Sequence, residues 1–252
     1  AELFVDSVSS DILSIADQLP FTLEFLRNGG SVDGFAEFYG TPTAPVGIDW
    51  FQTIFTFGGE AKGNETWKIT LGGTDYSAPV PVNDASLSRV ATILRDEINA
   101  GGDFIAELRI DLLGQSRLYV RQVNGASFQT SVEVTSPGTV EGEMIVSGRA
   151  DVNQLSTTNN LRWIEGAFLF TGEPQVDDIW SIVIDPEGSD GGSIPAESFT
   201  FTVGNDDEIE DITSSLAADI DQGTTRNYLP LVSGTTVTFE DTLPRDEDGN
   251  VL

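Results

Sequence analysis

The sequence predicts a mainly β, α+β protein built as two tandem sandwich-like modules of antiparallel strands, each covered by one short helix. Three observations carry this. Trp50, Phe55, Phe57, Gly59, Glu60 and Trp67 recur without a gap, 113 positions on, as Trp163, Phe168, Phe170, Gly172, Glu173 and Trp180. Around these residues apolar side chains alternate with polar ones, the mark of half-buried strands. Each copy then changes to helical spacing once. Asp84, Leu87, Val90, Leu94, Ile98 and Gly101 match Asp206, Ile209, Ile212, Leu216, Ile220 and Gly223 at an offset of 122. A repeat outranks other signals because missing it mis-reads the architecture.

The elements of the first copy follow in order. Phe51–Phe57 alternates and reads as a strand, and Gly58-Gly59 and Gly63-Asn64 supply turn chemistry. Trp67, Ile69 and Leu71 share one face of a second strand. Gly72-Gly73 turns the chain into Tyr76–Val82, where Pro79 and Pro81 predict an edge strand because proline donates no ladder hydrogen bond. The stripe Leu87, Val90, Ala91, Leu94 and Ile98 predicts a helix with Asp84 as N-cap and Gly101-Gly102 as its stop. Phe104–Leu112, Arg117–Val123, Ser127–Val134 and Gly142–Gly148 read as further strands, with Asn124-Gly125 as a hairpin signal.

In the second copy Asn205 or Asp206 is expected to cap the helix. Asp207, Glu208 and Glu210 sit in the first turn, where the helix dipole favours negative charge. Tyr228–Val232 and Thr235–Phe239 read as strands. The nine extra residues of this copy fall mainly in the Gly/Ser/Asp/Pro stretch Asp185–Pro195, a loop that tolerates insertion. At the N-terminus, Val8, Ile12, Ile15 and Leu19 form a helical stripe over Asp6–Leu19 ending at Pro20, followed by strands at Phe21–Phe25 and Phe35–Tyr39. The organisation expected is an N-terminal segment 1–33, a first module 34–140 and a second module 141–252.

Charge and composition exclude several functions. The chain has 41 acidic and 12 basic residues, a net charge of −29, and only two lysines, Lys62 and Lys68. Phosphate contact needs clustered Lys and Arg, so nucleic acid is excluded as a partner, and anionic membrane surfaces are disfavoured. No apolar run is long enough to insert in a membrane. With no Cys and no His, disulfides, the usual zinc sites and Cys- or His-based nucleophile pairs are absent. No phosphate-binding loop, dinucleotide fingerprint or nucleophile elbow occurs, and Ser116 lacks the flanking Gly and the His partner that an elbow needs. The chain starts at Ala1 without Met and reads as a piece of something longer. No catalytic residue is assigned.

Among motifs that could bind, the run Asp246-Glu-Asp248-Gly-Asn250 places oxygen ligands at alternate positions around a Gly. Ca²⁺ takes such clusters, making Asp246, Asp248 and Asn250 candidate metal ligands. A solvated terminal tail fits the same residues. Asp185–Gly192 is a weaker run of the same type. Glu60 and Glu173 read as turn residues accepting backbone hydrogen bonds, and Asn64-Glu65-Thr66 is a formal glycosylation sequon. The four Trp occupy positions shared by both copies and read as core.

Gly59-Glu60, Trp67-x-Ile69-x-Leu71, Gly72, Tyr76, Val80 and Asn83-Asp84, followed by the striped helix and Gly101, resemble a repeat of very large bacterial surface and secreted proteins. These are the adhesin-like and RTX-type exoproteins. The resemblance covers residues 50–170 and 163–240. It implies an extracellular or cell-surface stalk or spacer, often calcium-binding, with neighbouring copies or adjoining domains as partners. Gly-Gly-x-Gly-x-Asp nonapeptides are absent, so β-roll calcium binding is not implied. The function expected is therefore a non-catalytic structural or interaction protein. The alternatives are a carbohydrate-binding module pair, which needs exposed aromatics, and a glycoside-active enzyme, which needs one acid-lined cleft. Function is expected where the copies differ or meet.

Overall fold

The computed structural model describes residues 11–28, 35–110, 114–155, 161–185, 196–222 and 231–233. The fold is mainly β, as predicted. The first copy begins with β3 (Trp50–Gly59), β4 (Thr66–Leu71) and β5 (Thr74–Pro79). It continues through α1 (Leu87–Gly101), β6 (Phe104–Ile110), β7 (Ser116–Gln122), β8 (Thr130–Thr135) and β9 (Gly142–Ala150). The second copy repeats the opening as β10 (Trp163–Thr171), β11 (Ile179–Asp185), β12 (Glu197–Thr202), α2 (Ile209–Asp221) and β13 (Leu231–Ser233). Ahead of both lie β1 (Asp11–Asn28) and β2 (Phe35–Pro42).

The N-terminal helix expected over Asp6–Leu19 is not formed by its described residues: Asp11 onward is strand β1. Its register puts Leu13 opposite Phe168 and Ile15 opposite Gly166. Ile12 and Ile15 of the predicted stripe suit a helix, but Leu13 and Ile15 also alternate as in a strand, and an available edge of β10 decides in favour of the ladder. The Asn124-Gly125 turn also differs from expectation. Gly125 N–H donates to Gln122 O at 3.1 Å, but the flanking strands do not pair with each other. β7 pairs with β3 and β6, and β8 pairs with β4, so this turn moves the chain from one sheet to another.

The strands form one long sheet and two small ones. The long sheet runs β1-β10-β2-β9-β3-β7-β6, with β13 beside β1. A three-stranded sheet β5-β4-β8 packs on the first copy. The corresponding β12-β11-β1 triplet uses the far half of β1, Thr22–Asn28. β1 thus does alone what β7 and β8 do in the first copy. Its early half pairs with β10 as β7 does with β3, and its later half pairs with β11 as β8 does with β4. β2 lies beside β10 as β9 lies beside β3. The second copy is therefore completed by residues from the N-terminus, and the first copy sits between the two parts. β2, within the expected first module, pairs with β10, and β9, within the expected second, pairs with β3, because each fills the open edge of that strand.

The strand order is a palindrome about the β2–β9 pair. At its centre Gly40 lies opposite Gly148, and these two are counterparts in the repeat. Equivalent strands pairing antiparallel place a local two-fold relation between the copies, the geometry of an isologous dimer within one chain. Equivalent hydrogen bonds brace both ends: Thr43 N–H to Arg162 O and Asp151 N–H to Asp49 O, each 2.8 Å.

The core lies between the long sheet and the small ones. All four Trp are fully buried, each contributing roughly 4–6 kcal/mol of gross transfer free energy for about 200 Å² of surface. Phe57 meets Trp67 at 6.0 Å between centroids, and Phe170 meets Trp180 at 5.5 Å. Trp50 and Trp163 touch each other edge to face across the two-fold at 6.1 Å. Helix α1 buries Val90, Ala91, Leu94 and Ile98, as its stripe predicts. Its cap is Ser86, not Asp84: the Ser86 Oγ accepts from Arg89 N at 3.2 Å. Asp84 lies in the preceding turn and faces Arg89 at 3.7 Å. Helix α2 is capped one turn later than expected, at Glu208, whose N–H donates to Asp211 at 2.8 Å, while Asp206 has φ 68° in the turn before it. The extra length of the second copy is in the β11–β12 hairpin. Trp67 pairs with Ala78, 11 positions on, and Trp180 with Phe201, 21 positions on.

Candidate interaction surface

The candidate calcium ligands Asp246, Asp248 and Asn250, and the Asp185–Gly192 run beyond Asp185, lie outside the described residues. Among the described residues no group of three or more acidic side chains is arranged to hold a metal ion. Glu60 is exposed and contributes its backbone N–H, which donates to Glu141 O at 3.3 Å. Beside it Lys62 pairs with Glu141, whose hydrogen bond raises the lysine pKa. The sequon residue Asn64 is exposed at φ 70° in a turn that recurs as Asp177 at φ 71°.

The residue after that turn residue is the carboxylate that matters, and the 113-residue offset contained it. Glu65 and Asp178 are equivalent and both buried. Each closes its own turn: Lys62 N–H donates to Glu65 Oε2 at 2.9 Å, and Gln175 N–H donates to Asp178 Oδ2 at 3.3 Å. The copies then diverge. Trp67 Nε1 donates to Glu65 at 3.2 Å. Asp178 instead accepts from Arg27 at 2.8 Å, and that guanidinium lies over the Trp180 ring at 5.2 Å. Arg27 pairs with Trp180 in the register where Val134 pairs with Trp67, so the first copy has no arginine there. Both carboxylates are buried and buttress their turns.

A surface of a different kind lies on the outer face of the long sheet, opposite the small sheets. β6 presents Ile105, Glu107 and Arg109; β7 presents Arg117, Tyr119 and Arg121; β3 presents Gln52, Ile54 and Thr56. β9 adds Glu143, Ile145, Ser147 and Arg149. The register ties them into rows: Arg109 opposite Arg117, and Arg121 beside Gln52 beside Arg149. Arg109 packs over Tyr119 at 4.7 Å and bonds Glu107 at 3.1 Å, which lowers the Glu107 pKa. Arg121 is exposed and makes no ion pair with a described residue. Arg149 reaches across the seam to Glu37 at 2.5 Å and lies over Phe51 at 5.0 Å. Tyr39 completes this cluster, its hydroxyl donating to Glu37 at 2.9 Å. Burial, then the Glu37 charge, pushes the Tyr39 pKa well above its ordinary value.

Next to the seam the same face dips into an open groove of about 460 Å³ lined by residues that include Thr41, Pro45, Arg117, Ile145 and Ile164. The net charge of −29 over the whole chain hides the arginines of this face. The alternation Arg117-x-Tyr119-x-Arg121, which puts two arginines and a tyrosine on one face, is the local signal for it. The four Trp are buried, as their shared positions in the two copies predict.

No helix among the described residues is long and apolar enough to cross a membrane. No family model matches the chain, and no curated protein matches it. Among solved structures, FliD (HAP2) from Pseudomonas aeruginosa PAO1 is similar at 17% identity and a TM-score of 0.25, covering 73% of this chain and 86% of that one. The D2-D3 domains of the flagellar cap protein FliD from Escherichia coli are similar at 13% identity and a TM-score of 0.24, covering 66% of this chain and 100% of that one. Likeness at these scores transfers neither fold nor function.

Proposed function

We propose that this chain is a non-catalytic structural and interaction protein of a bacterial surface, in which the first copy is carried as a side arm on the second. One observation carries this reading: both crossings between the copies are made at one place. Pro42, where the chain leaves β2, pairs with Trp163, where it returns in β10. At the other end of the second copy, Ile12 of β1 pairs with Ser233 of β13. A spacer that bears load in line needs its entry and exit at opposite ends. Here both lie on the second copy, and tension applied through them peels an antiparallel ladder open pair by pair. The arrangement suits presenting the first copy to a partner better than transmitting force through it. The adhesin-like resemblance supports the surface location.

Single-molecule force spectroscopy with handles at Ala1 and Leu252 tests this. The expected trace shows the second copy opening first at low force, and the first copy afterwards as a separate event. One high-force event releasing both copies together would overturn the side-arm reading.

A further inference from the structure

We propose that the arginine face of the first copy docks head to tail on helix α2 of a second copy of this chain. This deepens the reading of the first copy as a presented arm and rests on it. Positive charge is concentrated in the first copy. Residues 43–155 hold eight of the 12 basic residues and 14 of the 41 acidic ones, a net charge of −6. The remaining residues carry −23. Within the first copy, Arg109, Arg117, Arg121 and Arg149 fall on one sheet face.

The repeat supplies the control. Strand register assigns each arginine a counterpart in the second copy: Ser233 for Arg109, Ile12 for Arg117, Ala16 for Arg121 and Thr41 for Arg149. None is basic. The shared architecture therefore does not require these charges. Glu107 bonds Arg109 and Glu37 bonds Arg149, while Arg121 is exposed and makes no ion pair with a described residue, so the face keeps positive charge to offer a partner.

The complementary surface belongs to the other copy of the repeat. Residues 205–222 contain seven acidic residues and no basic one. Glu210, Asp211, Asp219 and Asp221 of α2 are exposed, and the small Ser214 and Ala218 lie exposed between them. The helix is about 20 Å long at 1.5 Å per residue, and the four-strand arginine face is about 14 Å across at ~4.8 Å per strand. A helix of that length spans the face, with Tyr119, Ile54 and Ile145 offering apolar surface beneath it. Because the two surfaces belong to different copies of the repeat, the head-to-tail contact is heterologous and builds a ring or an open chain of molecules. The net negative charge does not forbid it, since charges beyond about 8–10 Å are screened at ordinary ionic strength.

Sedimentation velocity of the full chain over a concentration series, at about 100 mM and about 500 mM NaCl, reads the effect. The expected result is concentration-dependent association at low salt that disappears at high salt. Arg109→Glu/Arg121→Glu should weaken it roughly tenfold or more. Asp219→Lys/Asp221→Lys should weaken it equally, and mixing the two variants should restore association between them. Circular dichroism melts of each variant confirm that the fold is kept. A monomer at every concentration and salt overturns the proposal, as does association unchanged in the arginine variant or absence of rescue on mixing. Arginine-dependent binding of an acidic polysaccharide such as polygalacturonate, without self-association, would also overturn it. Each of these results leaves the side-arm geometry to be judged by the force trace.

Discussion

Gly40 and Gly148 face each other where β2 meets β9, and each occupies the other's place in the repeat. Neither position has room for a side chain. A Cβ on Gly40 would lie 2.6 Å from the Trp163 ring, and one on Gly148 would lie 2.1 Å from the Gln52 carbonyl oxygen, at φ 150°. The Gly148 obstacle is backbone, which cannot swing aside. Gly148→Ala is therefore expected to destabilise by about 2–4 kcal/mol, and Gly40→Ala by less, since ring side chains shift more cheaply. Chemical denaturation of both variants measures this. Equal, near-zero losses would show that the seam is looser than the close approach implies.

Arg27 compensates a buried charge. Arg27→Ala leaves Asp178 buried opposite the Trp180 ring without its cation, and the expected loss is about 3–5 kcal/mol. For a chain of this size that lowers Tm by roughly 6–20 °C. Adding Asp178→Asn should recover part of the loss, because the stranded charge goes with it. No recovery would mean that Arg27 acts by packing on Trp180 instead.

Glu65 works by accepting. Glu65→Gln keeps an acceptor for Lys62 N–H and Trp67 Nε1 and should cost under about 1 kcal/mol, whereas Glu65→Ala strands both donors at about 1–3 kcal/mol each. Thermal melts of the pair test the distinction, and equal losses would rule it out.

Tyr39 should make the seam sensitive to alkali. Its folded pKa is raised by burial and by Glu37, so in the unfolded chain it ionises first, near the ordinary value of about 10. Its contribution is thus complete below about pH 10 and is lost as pH rises toward the folded pKa, at up to about 1.4 kcal/mol per pH unit. Melting curves from about pH 9 to 11.5 should fall more steeply for the wild type than for Tyr39→Phe. Parallel curves would remove Tyr39 from the account.

The strand pairing also makes a prediction about fragments. Residues 43–155 contain every described strand that pairs with β3 and β4, and lose only the short β2–β9 seam. They should fold alone with dispersed amide NMR signals. Residues 156–252 lack β1 and β2, the described neighbours of β10, and should not. A folded 156–252 fragment would contradict the assignment of the N-terminal strands.

Much of this protein was legible in local pattern. Trp67, Ile69 and Leu71 all point into the core as their alternation requires, and Leu94 and Ile98 lie on the buried side of α1. The period of apolar residues records which side of an element is buried, and that is a local property. The repeat added that both copies bury the same residues. It also held the Glu65–Asp178 equivalence, which composition alone made look like two acids among 41.

Pairing partners were not legible. Which strand lies beside β10 depends on an edge that residues about 150 positions away happen to fit, and no local pattern encodes that separation. Ile12 with Ile15 suits a helix and Leu13 with Ile15 suits a strand until β10 offers its edge. The turn at Asn124-Gly125 has hairpin chemistry whichever sheet the next strand joins. The arginine face likewise exists only after β6, β7, β3 and β9 are laid side by side. Local pattern alone specifies two copies of one unit, and which residues each hides. The tertiary structure decided that the N-terminal strands complete the second copy and that four arginines share one surface, because hydrogen-bonded edges are satisfied by whatever strand reaches them.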